Sequence, residues 1–283
     1  MDYDGFKLVR NKRRKNTHQF GSKNFLNRIN INNFDINSKL RNCLHIGALN
    51  IERIEKLNEQ IDKCLKEIEY YIAEFEKALK QIYTENIQSN ESNESLESIE
   101  FESIICFGLG NFTQQPSSLY QLALLIHLQK YSKLIRAENF QIYDPNFSDL
   151  ELQFLQAFQL QILSDNNDCR FSCQENRATS FHKTKPILFY MPHMYHHHYF
   201  NLIDYNLLNL DRIILFGNSL KAYNEMLDSS DDLKQLQNLL SNIKFAEISV
   251  KSNSFRFDDV FFQQSFHCFH QNQIESDLKQ KKL

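Results

Sequence analysis

The chain has no tryptophan, and only six glycines and four prolines in 283 residues. No apolar run approaches the ~20 residues that a membrane-spanning helix needs, so a membrane location is not expected. Glycines this scarce are expected where backbone geometry demands them, and two of the six stand together as Gly108 and Gly110. The cysteines, Cys43, Cys64, Cys106, Cys169, Cys173 and Cys268, follow no framework spacing. This predicts reduced thiols and a cytosolic or nuclear setting. The first residues are polar and basic and lack the apolar stretch of a secretory signal, so none is expected. No Gly-x-Ser-x-Gly elbow, His-Glu-x-x-His pair or Walker loop occurs, which removes the commonest hydrolase, zinc-protease and phosphate-loop signatures.

What is present is a globular composition, 42% apolar and 24% charged, in a chain long enough for one large core and an accessory segment. Net charge is −3 but uneven. Ten Lys or Arg and three Asp fall within residues 1–41, which predicts a basic arm on an acidic body. Residues 1–49 read as that arm, disordered for want of apolar residues. Arg10-Asn11-Lys12-Arg13-Arg14-Lys15 is its densest patch and the place where nucleic acid or an import receptor would bind.

Residues 50–83 carry the clearest periodicity. Ile51, Ile54, Asn58, Ile61, Leu65, Ile68, Ile72, Phe75, Leu79 and Ile82 recur at intervals of three and four, predicting one long amphipathic helix. It either lies against the globular body or pairs with a protein partner as a coiled coil, with Asn58 setting register. A Ser/Asn/Glu linker over 84–100 follows. Strand-like runs at 103–107, 139–143, 160–164, 186–190 and 211–216 alternate with helical patterns. A further strand is expected near 244–250, then an aromatic segment over 255–269 and a polar tail over 271–283. The helix after the first strand is expected to begin with a Ser118/Gln121 capping box, and 165–185 reads as a loop or lid. The predicted fold is α/β: a doubly wound, mostly parallel, Rossmann-like sheet over 101–270.

In such sheets ligands bind beyond the carboxyl ends of the strands. Those ends supply Gly108, Gly110 and Asn111; Asp144; Asn166; His193; and Gly217, Asn218 and Ser219. These are the candidate ligand-binding residues, and a nucleotide-like cofactor is the ligand class the glycine pair suggests. The dinucleotide fingerprint is incomplete, since Thr113 holds the third glycine's place. Asp144 also lies farther on than the ~20 residues usual for a ribose-binding acid. The plainer role for Gly108 and Gly110 is a tight turn, and for Asp144 a helix cap. His193, His196, His197 and His198 are a histidine cluster with no carboxylate or cysteine close by in sequence. Consecutive side chains diverge on a helix, so no metal site is expected. Cys169 and Cys173 lack a histidine at ligand spacing and read as free thiols.

Six short motifs in order give the chain a resemblance. Cys106-Phe-Gly-Leu-Gly-Asn111, Tyr120-Gln-Leu-Ala123, Tyr143-Asp-Pro145, Phe189-Tyr-Met-Pro-His193, Gly217-Asn-Ser219 and Asp259-Val-Phe261 with Ser265 and His267 resemble the SRR-like family, named for "sensitivity to red light reduced". Met194 stands where that family commonly has Cys, Cys169 where it often has Gly, and Phe262 where it commonly has Asn. The run His196–His198 is not a family feature. The resemblance implies regulatory roles: light signalling and circadian rhythm in plants, haem-related metabolism and clock regulation in animals, and a link to microtubules in fungi. It brings no settled catalytic activity. Two functional classes therefore stand. One is a regulatory, non-catalytic protein with a small-ligand crevice. The other is a nucleotide- or S-adenosylmethionine-dependent, methyltransferase-like enzyme in which Asp144 binds ribose and His193 acts as general base.

Overall fold

The computed structural model describes residues 48–87, 96–173, 185–227, 230–251 and 259–270. The basic arm, the middle of the expected linker and the polar tail lie outside the described residues. Among the described residues two helices come first, α1 (Ala48–Glu67) and α2 (Glu69–Asn86). Then follow β1 (Ile99–Phe107), α3 (Pro116–Lys130), β2 (Ile135–Tyr143), α4 (Asp149–Ala157), β3 (Gln161–Ile162), β4 (Ile187–Met191), α5 (His196–Tyr205), β5 (Ile213–Asn218), α6 (Leu220–Glu225), α7 (Asp231–Asn242), β6 (Lys244–Ser249) and β7 (Gln264–His270). The strands form one sheet in the order β3-β2-β1-β4-β5-β7-β6. Every pairing is parallel except those of β7, which runs antiparallel to both neighbours.

The sheet is covered on both faces, so its central strands are apolar throughout rather than alternating. All five residues of β4 are buried. Below one face lie α5 and α7, where Tyr199, Leu202, Leu236 and Leu240 pack on Ile105, Phe107 and Phe189. On the other face α2 crosses β6 and β7, and α1 packs on α3. α3 is therefore enclosed on all sides, and Leu122 to Ile126 are buried without a break, which is why its sequence is apolar all round.

The predicted long N-terminal helix is present as α1 and α2 on either side of Ile68. The junction keeps the helical ladder, since Ile68 N–H donates to Cys64 O at 3.0 Å and Ile72 N–H to Ile68 O at 2.9 Å. It lets the chain pass from the helix layer onto the sheet. The apolar seam is spent within the chain itself: Ile54, Ile61, Phe75, Leu79 and Ile82 are buried. Phe75 meets Phe216 and Phe266 edge-on, with ring centroids 4.9 and 4.7 Å apart, and Tyr71 stacks on Phe261.

Other expectations are corrected. α3 starts at Pro116, whose missing N–H costs nothing in a first turn, and no side chain caps it. The Ser118/Gln121 box does not form. Ser118 Oγ donates instead to Gln115, and Gln121 Nε2 to Val260 O. The capping box that does form is Ser148/Glu151 at the start of α4. β1 begins at Ile99, inside the expected linker. The aromatic segment ends in β7, a strand inserted between β5 and β6.

Candidate functional site

Parallel pairing fixes where the strand ends go. Phe107 lies opposite Tyr143, Cys106 opposite Tyr190, and Met191 opposite Gly217. The carboxyl ends of β1, β2, β4 and β5 therefore share one edge of the sheet. The order of strands reverses between β1 and β4, so the notch between their ends is the topological switch point at which open α/β sheets take ligands.

The β1 side of the notch is a turn built on Gly108 and Gly110, with φ of 73° and 80°. These are left-handed conformations that favour glycine. Gly110 N–H donates to Asp144 Oδ2 at 2.7 Å, and Asn146 N–H to Asp144 Oδ1 at 2.8 Å. Asp144 thus splints the end of β1 to the end of β2. Asn111 Oδ1 closes the turn by accepting from Thr113 Oγ1 and Gln114 N–H. Glu151, fully buried, accepts from Thr113 N–H at 2.8 Å while completing the Ser148 cap.

The β4 side is organised by Asn218. Its Oδ1 accepts from His193 N–H at 3.0 Å and from Gln264 Nε2 at 2.8 Å, and its Nδ2 donates to Met194 O at 3.1 Å. His193 is itself in a left-handed conformation, φ 57°, which is uncommon for a non-glycine residue. Its Nε2 lies 2.8 Å from Val260 O, so this nitrogen carries the proton and donates. The residue keeps exposed surface, but burial of the ring lowers its pKa against the pull of the Val260 carbonyl and Asp259. With Nε2 donating to Val260 O, Nδ1 is the ring's acceptor when the imidazole is neutral.

Met194 joins the two sides. A Cβ built on Gly108 would overlap the Met194 sulfur, so this thioether fills the space above the first glycine and roofs the notch. Gly217 serves packing: a Cβ there would come within 2.8 Å of the Tyr199 ring and hydroxyl. Tyr199 donates to Met191 O at 2.6 Å and accepts from Asn218 N–H at 3.0 Å.

Among the predicted site residues, the structure brings Gly110 to Asp144 and His193 to Asn218, with Met194 between the groups. It turns Ser219 elsewhere. Ser219 caps α6 and donates to Glu247 Oε1 at 2.6 Å. Glu247 also lies 3.3 Å from His267 Nε2. Burial alone would raise the Glu247 carboxyl, but hydrogen bonding and charge from His267, with bonds from Ser219 Oγ and Lys221 N–H, outweigh it and hold the pKa at about 2. Asn166 also stays outside the notch. It closes a tight turn after β3 by accepting from Asp168 N–H.

Three residues escaped the sequence reading. Met194, Gln264 and Glu247 act through contacts far along the chain, and no local pattern marks them. A fourth, Asp168, corrects it. The histidine run was expected to have no carboxylate near it, yet the turn after β3 delivers Asp168 to His197 and His198, the three together at the open end of α5. Among the described residues the thiols of Cys64, Cys106, Cys169, Cys173 and Cys268 are unpaired, and burial pushes Cys169 and Cys173 up to about 12.

Among the described residues no helix is long and apolar enough to cross a membrane. The chain is similar to several known proteins. The Arabidopsis thaliana protein "SENSITIVITY TO RED LIGHT REDUCED 1" is 26% identical, over 80% of this chain and 79% of its own. An "SRR1-like protein" of Mus musculus is 28% identical over 60% of this chain and 65% of its own. A Drosophila melanogaster protein of the same description is 24% identical over 72% and 71%. Among solved structures, a putative O-methyltransferase from Klebsiella pneumoniae overlaps 84% of this chain and 96% of its own, with 9% identity and a TM-score of 0.36. The SRR1 domain model matches residues 75–274, which covers the last part of α2, the whole sheet and every residue of the notch. The chain belongs to the SRR1 domain family.

Proposed function

We propose that this chain is a regulatory, non-catalytic protein whose switch-point notch takes a small nucleotide-like ligand when Met194 swings aside. The observation that carries the reading is the state of the polar groups around the notch. Asp144 is bonded to two backbone N–H groups, His193 to Val260, and Asn218 to His193 and Gln264. They hold strands together rather than stand poised toward a reacting atom. The glycine pair and the left-handed His193 are the kind of backbone that collects at ligand clamps. The Arabidopsis relative's name speaks of red-light sensitivity in that plant, and a signalling role of that general kind is the one we assign here. We further place the protein in the cytoplasm or nucleus. Its basic arm is the candidate contact for nucleic acid or an import receptor. With its seam buried, the pair α1 and α2 offers a protein partner its outer face, charged but for the exposed Tyr70.

Thermal-shift titration of the full chain with adenine nucleotides, nicotinamide dinucleotides and S-adenosylmethionine tests this, because ligand binding to the native state raises its melting temperature. One of these should raise Tm at millimolar concentration. Met194→Ala, which opens the notch, should give the larger shift, and the ligand should be recovered unchanged. No shift in either protein overturns the ligand reading. Consumption of the ligand, abolished by Asp144→Ala, overturns the non-catalytic one and favours the methyltransferase-like alternative.

A further inference from the structure

The turn after β3 is built to aim one carboxylate oxygen. Asn167, Asp168 and Cys169 are three successive non-glycine residues at φ 46°, 51° and 62°, a costly run that must be held from outside. The hold comes from α5. Asn201 Nδ2 donates to Asp168 O at 3.0 Å and to Asp168 Oδ2 at 2.7 Å. Arg170 donates to the same Oδ2 at 3.1 Å and to Asn201 Oδ1 at 2.9 Å. Oδ2 is thereby spent, and Oδ1 faces the first turn of α5. There His198 Nε2 lies 3.6 Å away and His197 Nε2 4.0 Å.

Those separations decide the reading. They are too long for hydrogen bonds, so the three groups do not satisfy one another directly. They are close to the spacing of neighbouring ligands on one metal ion. Bonds of roughly 2.0–2.2 Å put adjacent donor atoms roughly 3.0–3.6 Å apart. One donor atom from each of the three residues lies within 4.8 Å of the other two. The other ring nitrogen of His198, Nδ1, is buried with no hydrogen-bond partner, so the ring is held by packing rather than by a bond on its far side. Beside the trio opens a cleft of about 290 Å³ lined by Asp168, Arg170, His197, Asn201 and Asp232, among others. It has room for a water or for Asp232 as a fourth ligand.

We infer that Asp168, His197 and His198 form a binding site for one borderline divalent cation of the zinc type. Two imidazoles and one carboxylate suit zinc, cobalt, nickel or copper(II) rather than calcium or magnesium. Asn201 is the positioning residue, since it fixes the carboxylate that the ion meets. Two features weaken the site: the Arg170 guanidinium on Oδ2, and the positive end of α5 behind the histidines. Both lower the affinity below that of an unopposed site. The site stands apart from the strand-end notch, and either can fail without the other.

Equilibrium dialysis of the full chain against zinc, with the visible spectrum of its cobalt(II) form, is the test. One tight equivalent is expected, with cobalt d–d bands of a four-coordinate site. Asp168→Asn and His198→Gln should each weaken it at least tenfold, and Arg170→Gln should tighten it by removing the opposing charge. His197→Gln, at a half-buried position on the surface of α5, should also lose at least tenfold, with an unchanged Tm as the check on its fold. Zinc held equally by all variants, or cobalt spectra of free aquo ion only, overturns the site.

Discussion

At the scale of single residues, Gly108 makes the sharpest claim. Its φ of 73° is strained for any side chain, and a Cβ there would force the Met194 thioether out of its place. Gly108→Ala is expected to cost roughly 2–4 kcal/mol, read as a lower urea midpoint. Adding Met194→Ala should recover the packing part but not the backbone part. Glu247 makes a second claim. Its folded pKa of about 2 lies below the ~4.3 of an unfolded glutamate. The unfolded chain therefore binds more protons in acid. The stability that Glu247 contributes is complete above about pH 4.5 and is lost as pH falls toward about 2, at up to about 1.4 kcal/mol per pH unit. In Glu247→Gln the acid limb of a Tm-against-pH curve should be correspondingly flatter. The glycine pair and Asp144 were legible in the sequence because backbone needs leave local marks. Ser219 and Glu247 were not legible as a pair, because they meet only through the fold.

Elements were legible to the degree that their partners were local or generic. The central strands announce themselves as short apolar runs because helices cover both faces. The seam of α1 and α2 is visible for the same reason, but periodicity says only that a face is buried, not against what. The structure supplies the answer in Phe75, fully buried between Phe216 and Phe266. Phe75→Ala should destabilise the chain by about 3–5 kcal/mol in chemical denaturation, as for a core residue of the sheet. A coiled-coil residue would instead make stability depend on protein concentration. β7 was the element hardest to read. Gln264, Ser265 and His267 are buried and would argue against a core strand, except that Asn218, Ser249 and Glu247 satisfy them. The weak local signal of β3 has a plain cause: it pairs with β2 through only two residues.

At the scale of the whole molecule, family and layered α/β architecture were both within reach of the sequence, because six motifs fall at the ends of strands that the fold gathers on one edge. What sequence could not give was the state of that edge, a notch roofed by Met194 and laced by Asn218. The same limit hid Asp168 from the histidines, since the turn that joins them closes through α5. The account's central claim is that the end of β1 and the end of β4 form one ligand-binding notch. The most direct measurement is a backbone amide NMR titration of the full chain with the nucleotide-like ligand that raises its Tm. The account predicts shifts concentrated at Gly108–Asn111, His193–Met194 and Asn218, saturating together with one dissociation constant. Shifts confined to other parts of the molecule, or these segments responding with different constants, would contradict it.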